Sequence, residues 1–181
     1  MTHEAVVEGI GVGVGDDGGM GAPAVILRAD EKLVPIFVSP DQAQSMQLAI
    51  EGVPFERPLT HDLLVEMLTD FGGAIDKVRI DDLNDGTFFA KIDAERYHDD
   101  GEREKFVFDA RPSDAIALAL RVDCDVLITD DVVAEAGRDP EAFESAPEGD
   151  LPEGPDKFPG DLGERLEESD DFPDDPDDFP D

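Results

Sequence analysis

"ARPSDAIALALRVDCDVLITD", residues 110–130, changes character halfway along. Pro112 suits the first turn of a helix, where its missing N–H is one of the donors that a helix start leaves unpaired anyway, and the Ala-rich "AIALALRV" permits close packing of that helix. Beyond Asp123 the run "CDVLIT" is short, apolar and β-branched, which predicts a strand. "DVVAEAG" then predicts a closing helix over residues 131–137. Upstream, "AIDKVRIDDL" (74–83), "TFFAKIDAE" (87–95) and "REKFVFDA" (103–110) predict three strands, with the "NDG" and "HDDGE" turns setting their pairing. Further out, "EAVVEGIGVGV" (4–14), "APAVILRA" (22–29) and "LVPIFVS" (33–39) predict three more, joined by "DDGGMG" and "DEK" turns. The glycine run "GIGVGVG" reads as a strand that bends or is closely packed.

Two helices separate these groups. Ser39, Pro40 and Gln42 form a capping box with proline at the first helical position, and Gly52 is the expected stop. Thr60 is a candidate N-cap for the second helix, whose Leu63, Leu64, Met67, Leu68 and Phe71 fall on one face before Gly72 and Gly73. The order of elements favours α+β: two antiparallel meanders with helices packed on the sheet, in one compact domain over residues 1–145.

From Pro147 onward half of the 14 prolines occur among Asp, Glu and Gly, a composition that cannot bury enough surface to fold. Residues 146–181 are therefore expected to be a disordered acidic tail, in which "DDFPD" occurs twice, at 170–174 and 177–181. A solvated tail and a protein-docking segment are both readings of it. The tail carries 15 acidic and 2 basic side chains, leaving 32 and 12 for residues 1–145, so the folded part is acidic as well. A formal net charge of -33 repels a polyanion at ordinary salt. At molar salt, however, the Debye length falls to about 3 Å. Asp spread along the whole chain and scarce Lys indicate a salt-adapted surface, so the charge reports habitat more than partner. There is no apolar run near 18 residues and no basic start leading into an apolar stretch, so neither a membrane span nor a signal peptide is expected, and the location expected is cytoplasmic. Cys124 has no partner for a disulfide and reads as a small buried hydrophobe.

The polar helix starts carry the candidate chemistry. "RPLTHDLL" puts His61 and Asp62 in a first turn, where free amides and the helix dipole favour an anion and disfavour a protonated imidazole. A neutral His61 can accept a proton, bind a metal, or be a satisfied structural histidine. In "ARPSD", capping accounts for Ser113 and Asp114 but not for Arg111, which either bridges to an aspartate and pins helix starts together or clamps a phosphate. No cysteine pair for zinc and no Walker-type Gly-Lys-Ser/Thr are present, "GIGVGVG" lacks the helix that a dinucleotide fingerprint must open, and His3 and His98 carry no assignment.

"PIFVSPDQAQSMQLAIEGVPFERPLTHDLL" (35–64), "DGTFFAKI" (85–92) and "ARPSDAIALALRVDCDVLITDDVVAEAG" (110–137) together resemble the bifunctional nuclease domain family, here in a salt-adapted, haloarchaeal-type form. The resemblance spans residues 4–137 and implies a compact α+β domain, self-association into a homo-oligomer and, as in plant members, nuclease activity on RNA and DNA. Carried over by position, the family's polar set falls on Arg57, Thr60, His61, Asp62, Arg111, Ser113 and Asp114. In the scheme this implies, His61, Asp62, Arg111 and Asp114 are catalytic, Asp62 and Asp114 hold Mg²⁺ or Mn²⁺, and Arg57, Thr60 and Ser113 contact substrate. One position departs: Gln42 stands where the family has glutamate, and an amide can replace a carboxylate in a capping box but not as base or ligand. The alternative is a non-catalytic regulatory module with the tail as its docking segment.

Overall fold

The computed structural model describes residues 1–14, 20–52, 56–98 and 100–141, so the expected tail over 146–181 lies outside the described residues. The elements run β1 (Thr2–Val14), β2 (Met20–Ala29), β3 (Lys32–Phe37), α1 (Pro40–Glu51), α2 (Thr60–Asp70), β4 (Gly73–Asn84), β5 (Thr87–Tyr97), β6 (Arg103–Ala110), α3 (Pro112–Val122), β7 (Asp125–Thr129) and α4 (Asp130–Ala136). Local chemistry accounts for their ends. Asp85 and Gly86 both take positive φ, 49° and 76°, which is the backbone a two-residue hairpin between β4 and β5 demands. Gly9, at φ 151°, sits where the β1–β2 register shifts, so the glycine run bends its strand as expected.

Each trio of strands is an antiparallel meander, but the two are not separate. β7 lies between them in one seven-stranded sheet of order β3-β2-β1-β7-β4-β5-β6, antiparallel to β1 and parallel to β4. The sheet is thus mixed. This corrects the expectation of purely antiparallel meanders, and the reason is the helix α3, a crossover that returns the chain to lie beside β4 in parallel.

Register then builds the core. Ala5 faces Val126, Val126 faces Val78 and Val78 faces Ile92, while Ile128, Ile80 and Ala90 make the next row. All seven are buried, and Ile116, Leu118 and Met46 from the helices close over them. Each of the Val, Ile, Leu and Met side chains contributes on the order of 1.5–3 kcal/mol when fully buried. In the β4–β5 region the alternate residues form a polar layer, with Arg79 bidentate to Asp93 at 2.7 and 2.9 Å and Lys91 on Asp81 at 2.8 Å. Helix α2 departs from its apolar pattern. None of its residues is buried, and Leu63, Leu64, Met67 and Phe71 are exposed.

Candidate functional site

Three helix starts supply the site. Ser39 caps α1 and accepts from the Gln42 amide N–H at 3.4 Å, while the Gln42 side-chain oxygen accepts from the Ser39 N–H at 2.9 Å. The expected capping box is therefore present. Its glutamine does more than cap, because Nε2 donates to Ser113 Oγ at 2.9 Å and so ties α1 to the first turn of α3. Ser113 is buried and turned to Gln42; the N-cap of α3 is Arg111, with no side-chain cap. Likewise Leu59, not Thr60, is the N-cap of α2. Asp62 accepts from the Leu59 N–H at 3.0 Å, half of a capping box, because leucine has no oxygen to return the bond.

The two polar helix starts meet. His61 Nε2 lies 3.2 Å from Asp114 Oδ1, and Arg111 Nε donates to Asp114 Oδ2 at 2.7 Å. Arg111 does not pin two helices together, since its bridge stays inside its own helix start and its side chain is 72% exposed. Where the two starts meet, the link is His61 to Asp114. Burial pushes the Asp114 carboxyl up, but the hydrogen bonds from Arg111 and His61 outweigh it and hold the group below the usual carboxylate range. The same bond raises the Arg111 guanidinium further.

Behind this pair lies a residue that sequence reading passed over. Arg121, in the last turn of α3 and only 8% exposed, donates through Nε to Asp62 at 2.5 Å, through Nη2 to the Ser45 carbonyl and hydroxyl at 3.3 and 3.2 Å, and through Nη1 to the Ala117 carbonyl at 2.8 Å. Ser45 Oγ in turn stands 3.5 Å from His61 Nδ1. A lone arginine in an Ala-rich helix offered one signal, namely that a buried guanidinium requires a carboxylate.

These side chains open onto a cleft of about 560 Å³, lined among others by Gln42, Ser45, Thr60, His61, Arg111 and Asp114. Asp62, Ser113 and Arg57 do not line it; Arg57 is exposed and makes no ion pair or hydrogen bond with the described residues. The carboxylates of the site are already engaged. Both oxygens of Asp62 face N–H groups of Leu59 and Arg121, both oxygens of Asp114 face nitrogens of Arg111 and His61, and no three His, Cys, Asp or Glu side chains gather among the described residues. As arranged, these residues do not fit a divalent cation.

The bifunctional nuclease domain profile matches residues 25–141, a span that contains all three helix starts. The chain belongs to the bifunctional nuclease domain family. Two uncharacterised proteins of Mycobacterium tuberculosis, from strains CDC 1551 and H37Rv, are each 35% identical over 117 residues, or 64% of this chain and 66% of theirs. Bifunctional nuclease 2 of rice is 32% identical over 102 residues, 55% of this chain and 31% of its own length. The chain thus spans just under two thirds of the bacterial relatives and a third of the plant one. No helix among the described residues is long and apolar enough to cross a membrane.

Proposed function

We propose that the cleft hydrolyses phosphodiester bonds of DNA and RNA, with His61, Asp114 and Arg111 as its working groups. The observation that supports this reading is the contact of His61 with Asp114 beside an exposed Arg111, in a chain of the bifunctional nuclease family. Asp114 fixes the proton of His61 on Nε2, which leaves Nδ1 as the basic nitrogen. Nδ1 looks toward Ser45, a cleft residue 3.5 Å away, so a water can replace that long contact. His61 takes a proton from the water, the water oxygen bonds to phosphorus, the P–O bond to the leaving oxygen on the opposite side breaks, that oxygen takes its proton from solvent, and the imidazolium gives its own back to solvent. Asp114 stabilises the imidazolium between these events. Arg111 spends one N–H on Asp114 and keeps its outer nitrogens for the phosphate, in the fork geometry that suits it. Thr60 sits on the cleft wall as a substrate contact, and Asp62 acts at one remove, holding Arg121 beside Ser45. Any part played by Mg²⁺ or Mn²⁺ is read directly from the assay.

Single- and double-stranded DNA and RNA are incubated at molar salt with Mg²⁺, Mn²⁺ or chelator, comparing wild type with His61→Ala and Asp114→Asn, each checked for folding by circular dichroism. Loss of a general base lowers cleavage about 10²–10⁴-fold. Full activity in folded His61→Ala sinks the assignment. A folded wild type that cleaves nothing returns these side chains to architecture and leaves the non-catalytic module.

A further inference from the structure

The two edges of the sheet are treated differently. At one, β3 carries Pro35, and Leu33 exchanges backbone hydrogen bonds of 2.9 and 2.8 Å with Arg138, so that edge is blocked. At the other, β6 pairs with β5 alone, contains no proline over Arg103–Ala110, and meets no further strand among the described residues. An open eight-residue edge is a template for another strand.

Apolar exposure is continuous with that edge. Phe106 and Phe108 face the helix side, opposite Ala94 and Ile92, with their rings 6.1 Å apart, and Phe108 is 50% exposed. A groove of about 220 Å³ runs between them and Leu68 and Phe71 of α2. Phe71 is 72% exposed, and from it the stripe Leu63, Leu64, Met67 runs along α2 at helical spacing. A helix that turns apolar side chains both to its own domain and to water requires cover.

We infer that two copies of this chain join through β6, edge to edge and antiparallel, across a two-fold axis at Val107. The strand is complementary to itself in this register. Phe106 falls opposite Phe108 of the second copy on the helix side, and Lys105 opposite Asp109 of the second copy on the polar side. An antiparallel edge pairing keeps both helix layers on one face of the joined sheet, so the two α2 stripes approach each other over the paired phenylalanines. In a chain of net charge -33, a contact that sets a lysine against an aspartate twice avoids the repulsion that most of the surface would impose. The tail is a poorer occupant: in both "DDFPD" segments the phenylalanine is followed by a proline, which has no N–H to offer an edge, and the flanking charges are all acidic.

The full-length chain is measured by sedimentation equilibrium, at molar salt and at the lowest salt where circular dichroism shows it folded. The wild type is expected to be a dimer, and Phe108→Asp to weaken the dimer at least tenfold. At the lower salt Lys105→Asp and Asp109→Lys each weaken it, and the double variant restores it, because only the stated register brings 105 and 109 together. A monomeric wild type overturns the proposal. So does a dimer that survives Phe108→Asp, or one lost in Phe71→Asp but indifferent to both charge variants, which would place the contact on α2 alone. A monomer that begins to dimerise when Phe172 and Phe179 become alanine assigns the groove to the tail and equally overturns it.

Discussion

At the scale of residues, the decisive pairs are charged groups that meet across long stretches of chain. Asp114 is shared by its neighbour Arg111 and by His61, while Asp62 is held by Arg121. The two carboxylates, alike in sequence as the third residue of their helices and in the first turn, have diverged in role. Asp114 faces an open cleft with an exposed cation, whereas Asp62 neutralises an almost fully buried one. Arg121→Ala removes one of the two donors to Asp62, the other being the Leu59 N–H, and the donor to the Ser45 hydroxyl, which costs roughly 1–3 kcal/mol given that Asp62 is itself partly solvated. A lower midpoint in chemical denaturation is the expected result, and an unchanged midpoint would show that water replaces the guanidinium without penalty. Cys124 needs no role. It is only partly buried, not the buried hydrophobe that its apolar run predicted, and burial together with the charge of Asp125 pushes its thiol up to about 11, so it is not a thiolate at neutral pH.

At the scale of elements, the starts of α1, α2 and α3 are where local and tertiary demands coincide. The α1 box was readable, because Ser39, Pro40 and Gln42 satisfy backbone donors three residues away and nothing distant is needed. The bond from Gln42 to Ser113 was not, because 71 residues separate the partners and either side chain alone looks like an ordinary cap. Gln42→Ala removes the return half of the box and leaves the buried Ser113 hydroxyl without its donor, at a cost of about 1–2 kcal/mol. Gln42→Glu keeps the cap. Thermal unfolding against wild type separates these effects: glutamate is expected below wild type by the loss of the amide donor to Ser113, and alanine lower again by the loss of the cap, and a glutamate variant as stable as wild type would mean that the link between α1 and α3 carries no stability. Helix α2 is the element whose sequence misleads. Its apolar residues form a periodic stripe, yet the stripe that packs inward runs through Val65 and Leu68, and the larger one is left in water.

At the scale of the whole molecule, charge and topology are the two facts to explain. A chain with 47 acidic and 14 basic side chains repels itself, and the repulsion reaches about 10 Å at 0.1 M salt but only about 3 Å at 1 M. Its melting temperature is therefore expected to rise between 0.1 and 2 M NaCl, with most of the gain coming before 1 M, and a flat profile in differential scanning calorimetry would count against a salt-adapted surface. Topology is where the limit of sequence reading lies. The amino-acid sequence by itself determined the boundaries of nearly every element, the capping of α1, the hairpin at Asp85 and Gly86, the acidic balance and the two polar helix starts, since each rests on spacing within about ten residues. Only the tertiary structure decided that β7 enters between the meanders, that His61 reaches Asp114, that Arg121 answers Asp62, and that the β6 edge is left open while the β3 edge is closed. Those contacts join residues nearly 50 or more positions apart, where periodicity no longer carries information and the packing of α3 on the sheet fixes which side chains meet.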